Sequence, residues 1–541
     1  MKLRPLLLIL AALLLQQPSS EAARWWRHIE FLASDALEGR NVGTPGFEKA
    51  AAYVEAQFKD IGLRPGGTSG YRQPVKLESR LLVTGDSQLT LIRHGQEQRL
   101  ALPADASVSS RGELNGSIDA PMTFVGYGLS IPEAGWDDLA GVDLRGRIAV
   151  YVNAPAPVDI PDSVRSHVTS IGERWAVLKK AGAIGIATIA PPRPTAPPSA
   201  PSSPSPGSAG ITPPANPPAP TAAPPTIVLA DHEVHEFTGL VLSMSLTRSG
   251  AEKLFAGSGH TFDEIAPLVT AKKALPQFAL PGTLRARATI RRETIDSDNV
   301  IGIHEGSDPQ LKNEYVVMSA HLDHVGIGRS VAGDNIYNGA MDDASGVASV
   351  IEIARLLKSS GVKTKRSILF IAQTAEEKGL LGSRYFAARP TVPLEAIVAD
   401  INLDMFLPLY PLKVIEVQGL AESTLGDSVR TAAGELGVSV QTDREPDQNR
   451  FIRSDQYSFI KRGIPSLAFK FGYEFGSAEE KIRRDWVRDV YHKPNDDLKQ
   501  PVNLEAAATF NRVILSLLER VANDPARPRW NDASFFKRFA K

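Results

Sequence analysis

The sequence predicts an α/β fold, a mostly parallel mixed sheet flanked by helices, with an inserted β-rich domain. From about Asp296 onward, apolar strand patterns alternate with long amphipathic helix patterns, the order that builds a parallel sheet covered on both faces. Between Leu81 and about residue 280, short alternating strand patterns prevail instead. A length of 541 residues also exceeds what one hydrophobic core usually organises, so several domains are expected.

Residues 1–22 are typical of a secretory signal peptide. Lys2 and Arg4 precede an apolar run from Leu6 to Leu15, and small residues follow around Ser20 and Ala22. Crossing a bilayer takes about 20 apolar residues, so we expect a cleaved leader and no membrane span, with an uncleaved anchor as the alternative. The protein is therefore expected to be secreted or periplasmic.

Residues 24–80 are predicted to begin the main domain with two helices. The first covers RWWRHIEFLASDAL, and in the second Ala51, Val54, Phe58 and Ile61 recur at helix spacing. Residues 281–530 are predicted to complete this domain. Its last helix has an apolar stripe that we interpret as core.

Residues 81–280 form the predicted insertion. We expect a strand in the segment that begins at Ser87, a strand in DLRGRIAVYV and a helix-like stretch from Ser170 to Ile189. Residues 191–225 hold 15 of the 40 prolines and one charge, which predicts an extended, disordered loop, with a docking tract as the alternative. The segment from Thr226 to Ala230 then resumes a strand pattern, so the loop is expected to interrupt the β-rich module.

Charge and composition exclude several classes of protein. Lys and Arg total 60 against 61 for Asp and Glu, which argues against nucleic acid as the main partner. The absence of Cys excludes disulfides, thiolate nucleophiles, iron–sulfur clusters and Cys-ligated zinc, so any metal must be held by His, Asp and Glu. The sequence has no HExxH, G-x-S-x-G or G-x-x-x-x-G-K-[ST] motif, and the pair His232 and His235 has the wrong spacing for a zincin and is interpreted as surface.

Imidazole and carboxylate side chains recur where strands are predicted to end. The strand from Tyr315 to Ala320 leads into His321, and a nearby carboxylate such as Asp323 is suited to accept a hydrogen bond from its ring. A structural histidine is the alternative for this motif alone. His492 follows Tyr491 in VYHKPNDD, in a loop after the last strand.

Carboxylates supply the other candidate ligands. Asp342 lies in NGAMDDASG before a helix, where capping is the alternative, and Glu376 and Glu377 follow a strand, where an exposed turn is the alternative. Asp404 lies in the apolar run INLDMF, where a buried carboxylate needs a partner. Nitrogen and oxygen donors without thiolate suit Zn²⁺, Mn²⁺ or Co²⁺, and one carboxylate can bridge two such ions, which predicts a binuclear hydrolase.

The motifs HLD, GAMDDASG, TAEEKGLLGS, NLDM and YHKPNDD, in this order, closely resemble those of peptidase family M28, whose members are co-catalytic zinc metallopeptidases. The segment SDALEGRNVGTPGFEKAAAYV also resembles the start of bacterial members. The resemblance covers roughly residues 27–80 and 295–520. The intervening VDLRGRIAVY and LKKAGAIGIATI resemble a protease-associated domain, which many family members carry as an insertion.

The resemblance implies roles for individual residues of the candidate site. His321 and Asp404 would bind one of two Zn²⁺ ions, Glu377 and His492 the other, and Asp342 would bridge them. Glu376 would be the general base, Asp323 would support His321, Tyr491 would help to hold the tetrahedral intermediate, and Arg453 would lie in the substrate pocket. The Asp342–Asp343 peptide bond is expected to be cis, and Met341 departs from relatives that have an acidic residue there.

The function expected from the resemblance is an exported zinc aminopeptidase that removes N-terminal residues from peptide substrates. A carboxypeptidase or dipeptidase of the same fold is the first alternative, because its metal ligands would be identical. A receptor-like member without metal and a single-metal glutaminyl cyclase are the others, and the complete ligand set counts against both. Side-chain preference, oligomeric state and the role of the insertion are left open by the sequence.

Overall fold

Two β-sheets organise the chain in a computed structural model, which describes residues 18–114, 116–192 and 225–540. Residues 1–17 of the expected leader and residues 193–224 of the expected proline-rich loop lie outside the described residues. The predicted fold class is confirmed, because a mixed sheet flanked by helices accompanies a second, β-rich unit. Within the described part of the chain, no helix combines the length and the apolar character needed to cross a membrane.

The strands and helices follow each other in an order that repeats strand and helix in the second half of the chain. The strands are β1 (Arg64–Pro65), β2 (Arg72–Leu82), β3 (Gln88–Arg93), β4 (Gln96–Leu100), β5 (Ala106–Ser109), β6 (Gly116–Val125), β7 (Ser130–Ile131), β8 (Trp136–Asp137), β9 (Ile148–Val152), β10 (Gly185–Ile189), β11 (Thr226–Leu229), β12 (Leu242–Leu246), β13 (Gln277–Ala288), β14 (Ile290–His304), β15 (Tyr315–His321), β16 (Gly326–Val331), β17 (Asp334–Tyr337), β18 (Ser367–Gln373), β19 (Ile397–Asn402), β20 (Val414–Gln418), β21 (Ser439–Thr442) and β22 (Ser466–Phe471). The helices are α1 (Ser20–Leu32), α2 (Pro45–Ile61), α3 (Asp162–Thr169), α4 (Ile171–Lys180), α5 (Arg248–Phe255), α6 (Phe262–Thr270), α7 (Ser345–Ser360), α8 (Leu381–Ala388), α9 (Leu425–Glu435), α10 (Gln456–Ile460), α11 (Ala478–Asp489) and α12 (Leu504–Asn523).

The large sheet has the strand order β11-β2-β14-β18-β15-β19-β22-β20-β21, and β1 pairs with β14. Its central strands β18, β15, β19 and β22 run parallel, whereas β11, β2 and β14 pair antiparallel at one side. The central strands are buried along their whole length except at Tyr315, because helices cover both faces. The parallel centre brings the carboxyl ends of three neighbouring strands to one edge of the sheet.

Helices pack on both faces of this sheet. On one face α1, α2, α7 and α12 share a core that includes Trp25, Phe58, Val350 and Phe510. On the other face α8 and α10 contribute to a smaller core that includes Phe386. The two helices predicted in residues 24–80 are present as α1 and α2, and α2 has the expected end signals: the Thr44 side chain accepts from the backbone N–H of the third helical residue, and the helix ends at a glycine in the left-handed region.

The second sheet has the order β4-β3-β13-β6-β9-β10-β12-β5, with β6, β9, β10 and β12 parallel. It lies between Leu82, where β2 ends, and Ile290, where β14 begins, and we call residues 83–289 the insertion. The chain enters and leaves the insertion at adjacent points, because the N–H of Val83 donates to the carbonyl of Thr289 at 2.9 Å. The boundary expected at residue 280 falls inside β13, which belongs wholly to this sheet.

Two expectations for the insertion differ from the structure. The helix-like stretch from Ser170 to Ile189 is a helix only as far as Lys180, and its last five residues are the buried strand β10. Gly182, in the left-handed region at φ +99°, separates the two elements, and three of the five residues of the strand are β-branched. The strand β11 does form, but it pairs with β2 at the edge of the large sheet rather than with the second sheet.

Candidate metal centre

The candidate ligands converge at the carboxyl edge of the central parallel strands. His321 is the last residue of β15, Glu376 and Glu377 follow the end of β18, and Asp404 follows the end of β19. These three strands are neighbours in the sheet. Crevices at this edge are where open α/β sheets form their sites, so the topology itself brings the side chains together.

Asp342 lies at the centre of the cluster, in the turn Ala340–Ala344 that leads into α7. Its Oδ1 is 3.2 Å from Nε2 of His321, whose Nε2 is in turn 3.8 Å from Oδ1 of Asp404. Its Oδ2 is 3.2 Å from Nε2 of His492, and that nitrogen is also 3.2 Å from Oε1 of Glu377. Each carboxylate oxygen of Asp342 therefore faces a different pair of side chains.

The spacing and the donor types fit divalent cations. Two ligands that bind one tetrahedral zinc ion at about 2 Å lie about 3.3 Å from each other, which is close to the 3.2 Å separations around Asp342. Oδ1 of Asp404 and Oε1 of Glu377 are buried and have no hydrogen-bond partner among the described residues. A buried anionic oxygen without a partner is unfavourable, so these atoms point to a cation.

Burial and neighbouring charges separate the pKa values of the two adjacent glutamates. Burial, together with the carboxylates of Asp404, Asp455 and Glu377, raises the pKa of Glu376 well above its usual value. Burial also acts on Glu377, but the imidazoles beside it outweigh burial and hold its pKa well below the usual range. Two carboxylates whose pKa values diverge are suited to different roles, one that exchanges a proton and one that stays anionic.

The imidazoles respond to the same carboxylates. Burial would lower the pKa of His321, but Glu376, Asp342 and Asp404 outweigh burial and raise it well above its usual value. The pKa of His492 is likewise raised, to about 10, because Asp342 and Glu377 outweigh the effect of burial. Clustered anions of this kind favour a positive charge at the centre, whether a proton or a metal ion supplies it.

Three further buried aspartates position the loops that carry the candidate ligands. Asp323 accepts from the backbone N–H groups of Glu376 and Glu377, at 2.9 and 3.3 Å. Asp496 accepts from the N–H groups of Met341 and Asp342, at 2.9 and 3.0 Å.

Asp343 makes the third set of these contacts, accepting from the N–H groups of His321, Gly346 and Met405. The Asp342–Asp343 peptide bond is cis, as the resemblance implies. Sequence reasoning missed the positioning roles of Asp343 and Asp496, whose signal was the doubled aspartate in each motif.

The contact between Asp323 and His321 differs from the expected one. Nδ1 of His321 lies 3.0 Å from the backbone carbonyl oxygen of Asp323 and donates to it, which leaves Nε2 to face Asp342. The Asp323 carboxylate points instead to the loop after β18. The imidazole is thus oriented by a backbone acceptor, which fixes the ring without adding a charge beside it.

Arg40 is a positioning residue that the sequence motifs did not single out. Its side chain is fully buried and donates to the carbonyls of Leu32, Leu322, Asn338 and Gly339. Burial lowers its pKa to about 10, although several aspartates nearby oppose the change. The segment that resembles the start of bacterial members therefore braces the loops on either side of His321 and Asp342.

Two other predicted residues lie in different positions relative to the cluster. Tyr491 is half-buried and stacks on His492 with ring centroids 3.9 Å apart. Burial, with the carboxylates of Asp342 and Asp404, raises its pKa. Arg453 lies at the surface, where its guanidinium donates to the carbonyl of Gln448.

A cavity of about 580 Å³ opens beside Glu377, between the insertion and the large sheet. Ile171 and Gly172 of α4 line one side, and the segment that follows Glu377 lines the other. Arg453 is not among the residues that line it, whereas the nearby Tyr457 is. The pair His232 and His235 also needs a correction, because only His232 is exposed; His235 is buried and lines this cavity.

His324 is the histidine of the cluster that sequence reasoning missed. It follows Asp323 in SAHLDH, is fully buried, and places Nδ1 2.8 Å from Oε1 of Glu377. Its ring also meets that of His492 edge-on, with centroids 5.6 Å apart. A third histidine, three residues after His321, was visible in the sequence, but its orientation depends on the turn that follows β15.

The sequence profile of peptidase family M28 matches residues 299–518. This part of the chain belongs to peptidase family M28. The M28 region runs from β14 into α12, and it contains all of the candidate ligands. It makes up less than half of the chain, since the insertion and the N-terminal helices precede it.

Curated relatives align with the chain over part of its length. A probable leucine aminopeptidase 2 of Aspergillus oryzae is 29% identical over 265 residues, which cover 46% of this chain and 50% of the relative. Aminopeptidase YwaD of Bacillus subtilis is 30% identical over 231 residues, covering 40% and 45%. A probable zinc metalloprotease of Pyrenophora teres f. teres is 45% identical over 204 residues, covering 35% and 42%. The chain therefore spans about half the length of the curated relatives it matches.

The aminopeptidase from Aneurinibacillus sp. strain AM-1 has a similar solved structure. The alignment has a TM-score of 0.51 and covers 94% of this chain and 95% of the other, at 20% sequence identity. The likeness extends through the insertion as well as the M28 region. At this identity the likeness shows a shared fold alone, and the function depends on the residues of the site.

Proposed function

We propose that the protein is an exported zinc-dependent exopeptidase, an aminopeptidase that hydrolyses the N-terminal residue of peptides. The observation that carries the proposal is the position of Asp342, whose two oxygens each face a separate set of histidine and carboxylate side chains. This arrangement supports a centre for two ions, with Asp342 as the shared ligand. The names of the relatives favour removal of N-terminal residues.

The residues of the centre divide into holding and reacting groups. His321 and Asp404 would hold one ion, and Glu377 and His492 the other. Zinc bound there would lower the pKa of a water molecule and polarise the substrate carbonyl. Glu376, whose pKa is raised by burial and by neighbouring carboxylates, is the group suited to accept the proton of the attacking water and to pass it to the leaving amine. Tyr491 is suited to hold the carbonyl oxygen as charge develops on it.

We further propose that the insertion is a protease-associated domain that shapes access to the site, and that residues 1–22 direct export. The cavity beside Glu377 supports the first part, because the insertion supplies one of its walls. Peptides are the expected substrates, and the ends of the cavity would select among them by size.

The test uses zinc-loaded protein and two kinds of substrate. Aminoacyl anilides with a free amino group should be cleaved, and N-blocked dipeptides should not. A chelator should abolish the activity, and zinc should restore it. Cleavage of N-blocked dipeptides alone would instead favour the carboxypeptidase alternative.

Glu376→Gln provides the matched inactive variant. It should keep about the same zinc content as the unmodified protein, because Glu376 is not a ligand in the proposed centre. Turnover should fall by about 10² to 10⁴-fold, the usual contribution of a general base. A Glu376→Gln enzyme with normal turnover would remove the base from the proposal.

A further inference from the structure

His324 is buried among the candidate ligands. Its side chain is fully buried, and neither ring nitrogen has a hydrogen-bond partner among the described residues. Nδ1 lies 2.8 Å from Oε1 of Glu377, but the two atoms do not meet the geometry of a hydrogen bond. A buried imidazole with both nitrogens unpaired is unfavourable unless a water molecule or an ion binds it.

The position of the His324 ring is fixed by its surroundings. The backbone N–H of His324 donates to the carbonyl of Arg40 at 3.3 Å. The ring packs against Gly339, where a Cβ atom would lie 2.6 Å from two ring carbons. Only a residue without a side chain allows this contact, so the fold makes room for the imidazole beside Asp342.

The nitrogen of His324 belongs to the same group of donors as Asp342 and Glu377. One ligand atom from each of these three residues lies within 4.8 Å of the others. His492 approaches the same two carboxylates, with Nε2 3.2 Å from an oxygen of each. The two imidazoles thus lie beside the same pair of carboxylates.

We propose that His324 is a further ligand of the ion held by Asp342, Glu377 and His492. The inference rests on the proposed metal centre and adds to it a nitrogen donor. It makes the two ion positions unequal, because one has two imidazoles and the other, at His321 and Asp404, has one. Imidazole donors favour zinc, copper, cobalt and nickel over magnesium and manganese, so the position with two should be the more selective for zinc.

The first measurement uses the unmodified full chain loaded with zinc. X-ray absorption at the zinc edge reports the average number of imidazoles on each ion. With His324 as a ligand, three histidines are shared by two ions; without it, only two are. An average of one imidazole for each ion would overturn the inference.

The second measurement compares His324→Ala with His28→Ala. His28 is also a buried histidine, but it lies in α1 and its ring forms a hydrogen bond with the hydroxyl of Tyr53. His28→Ala is therefore the matched control. In His324→Ala, competition with a chromophoric zinc chelator should show one ion bound at least about tenfold more weakly. The contribution of imidazole to the X-ray absorption spectrum at the zinc edge should also fall. His28→Ala should change neither quantity.

The outcomes separate this inference from the proposed function. If His324→Ala binds both ions as tightly as the unmodified protein and shows the same imidazole contribution, His324 is no ligand, and the proposed function stands. If the unmodified protein binds no zinc, the proposed function fails together with the inference. If His324→Ala does not fold, the X-ray absorption of the unmodified chain decides alone.

Discussion

Asp496 and Asp497 are adjacent aspartates with different surroundings. Asp496 is fully buried, accepts from the backbone N–H groups of Met341 and Asp342, and has its pKa raised to about 6 by burial. Asp497 accepts from the N–H of Lys499, two residues on, and its carboxylate lies 3.3 Å from the ammonium group of the same lysine. The first therefore positions the proposed bridging ligand, and the second closes a local turn.

Asp496→Ala should weaken zinc binding by about 10 to 100-fold, because Asp342 loses the acceptor that holds its backbone. Asp497→Ala is the matched control and should leave the affinity unchanged. Chelator competition measures the affinity of both variants, and circular dichroism checks that both are folded. Equal affinities in the two variants would contradict a positioning role for Asp496.

Asp342→Ala should lose zinc altogether, because both sets of side chains share this residue. Glu376→Gln is again the comparison, since it should keep its metal. Elemental analysis after dialysis measures the zinc bound to each chain. A content of about two ions in Asp342→Ala would contradict the bridging role.

At this scale the sequence could predict residue types near strand ends but not their contacts. The convergence of His321, Glu377 and Asp404 follows from parallel strands ending at one edge. Asp342 reaches the cluster from the turn before α7, and His492 from the loop after α11. The orientation of His324 and the backbone contacts of Asp343 and Asp496 depend on turns whose geometry no periodic pattern encodes. Asp323 shows the same limit, since its carbonyl rather than its carboxylate meets His321.

Among the elements, α1 contains the leader boundary that the sequence predicts at residue 22. Ser19 caps the helix with its side chain, Ala22 is fully buried, and Glu21 forms an ion pair with Arg512 of α12 at 2.8 Å. The leader boundary expected at residue 22 thus falls inside the first turn of a packed helix. Removal of this turn would leave the start of α1 without its cap.

A chain that begins at Ser19 should be more stable than one that begins at Ala23. Loss of the cap alone should reduce the free energy of unfolding by about 0.5 to 2 kcal/mol, and the lost contacts of Ala22 add to this. Urea denaturation of the two truncated proteins measures the difference. Equal stability would mean that the first turn of α1 contributes nothing to the packed fold.

Most elements were predictable because their hydrophobic patterns repeat over many residues and fit only one kind of element. The strands β15 and β18 and the helices α7 and α12 lie where the apolar patterns place them. The hydrophobic period could not predict the structure of the stretch after Lys180, since GIATI is short and largely apolar and fits either a buried helix or a buried strand. The pairing of β11 with β2 depends on a long-range contact that no local pattern records.

At the scale of the molecule, the insertion and the large sheet enclose the cavity beside Glu377. Gly172 lies at its wall, and a Cβ atom there would lie 2.1 Å from Oε1 of Glu236. Glu236 is paired with Arg384 of α8 at 3.1 Å, across the same cavity. Any side chain at residue 172 must therefore displace Glu236 and narrow the passage.

Gly172→Leu should lower kcat/KM for a long peptide more than for an aminoacyl anilide, with zinc content unchanged. Gly85→Leu is the control, because residue 85 lies in an exposed turn of the insertion with no atom within 4 Å of its Cβ position. Steady-state kinetics on both substrates give the ratio. An unchanged ratio in Gly172→Leu would mean that peptides reach Glu377 by another route.

The free energy of unfolding of the whole molecule should fall as the pH drops below about 6.5. Protonation of His28 is one cause of this loss that a variant can measure. Burial lowers the pKa of His28 to about 4, and the positive charges of the nearby Arg355, Arg27 and Arg24 add to this effect. Between about pH 6.5 and pH 4 the unfolded chain binds a proton that the folded chain does not, so protonation favours unfolding. At pH 5 this reduces the free energy of unfolding by about 2 kcal/mol relative to pH 8.

His28→Gln removes this titration and should therefore lose about 2 kcal/mol less than the unmodified protein between pH 8 and pH 5. His232→Gln, which removes an exposed imidazole, is the matched control and should lose as much as the unmodified protein. Because the candidate metal ligands are the same in all three proteins, their protonation cancels in the comparison. Urea denaturation at the two pH values gives the free energies, and equal losses in His28→Gln and the unmodified chain would show that His28 takes up its proton as readily in the folded state as in the unfolded one.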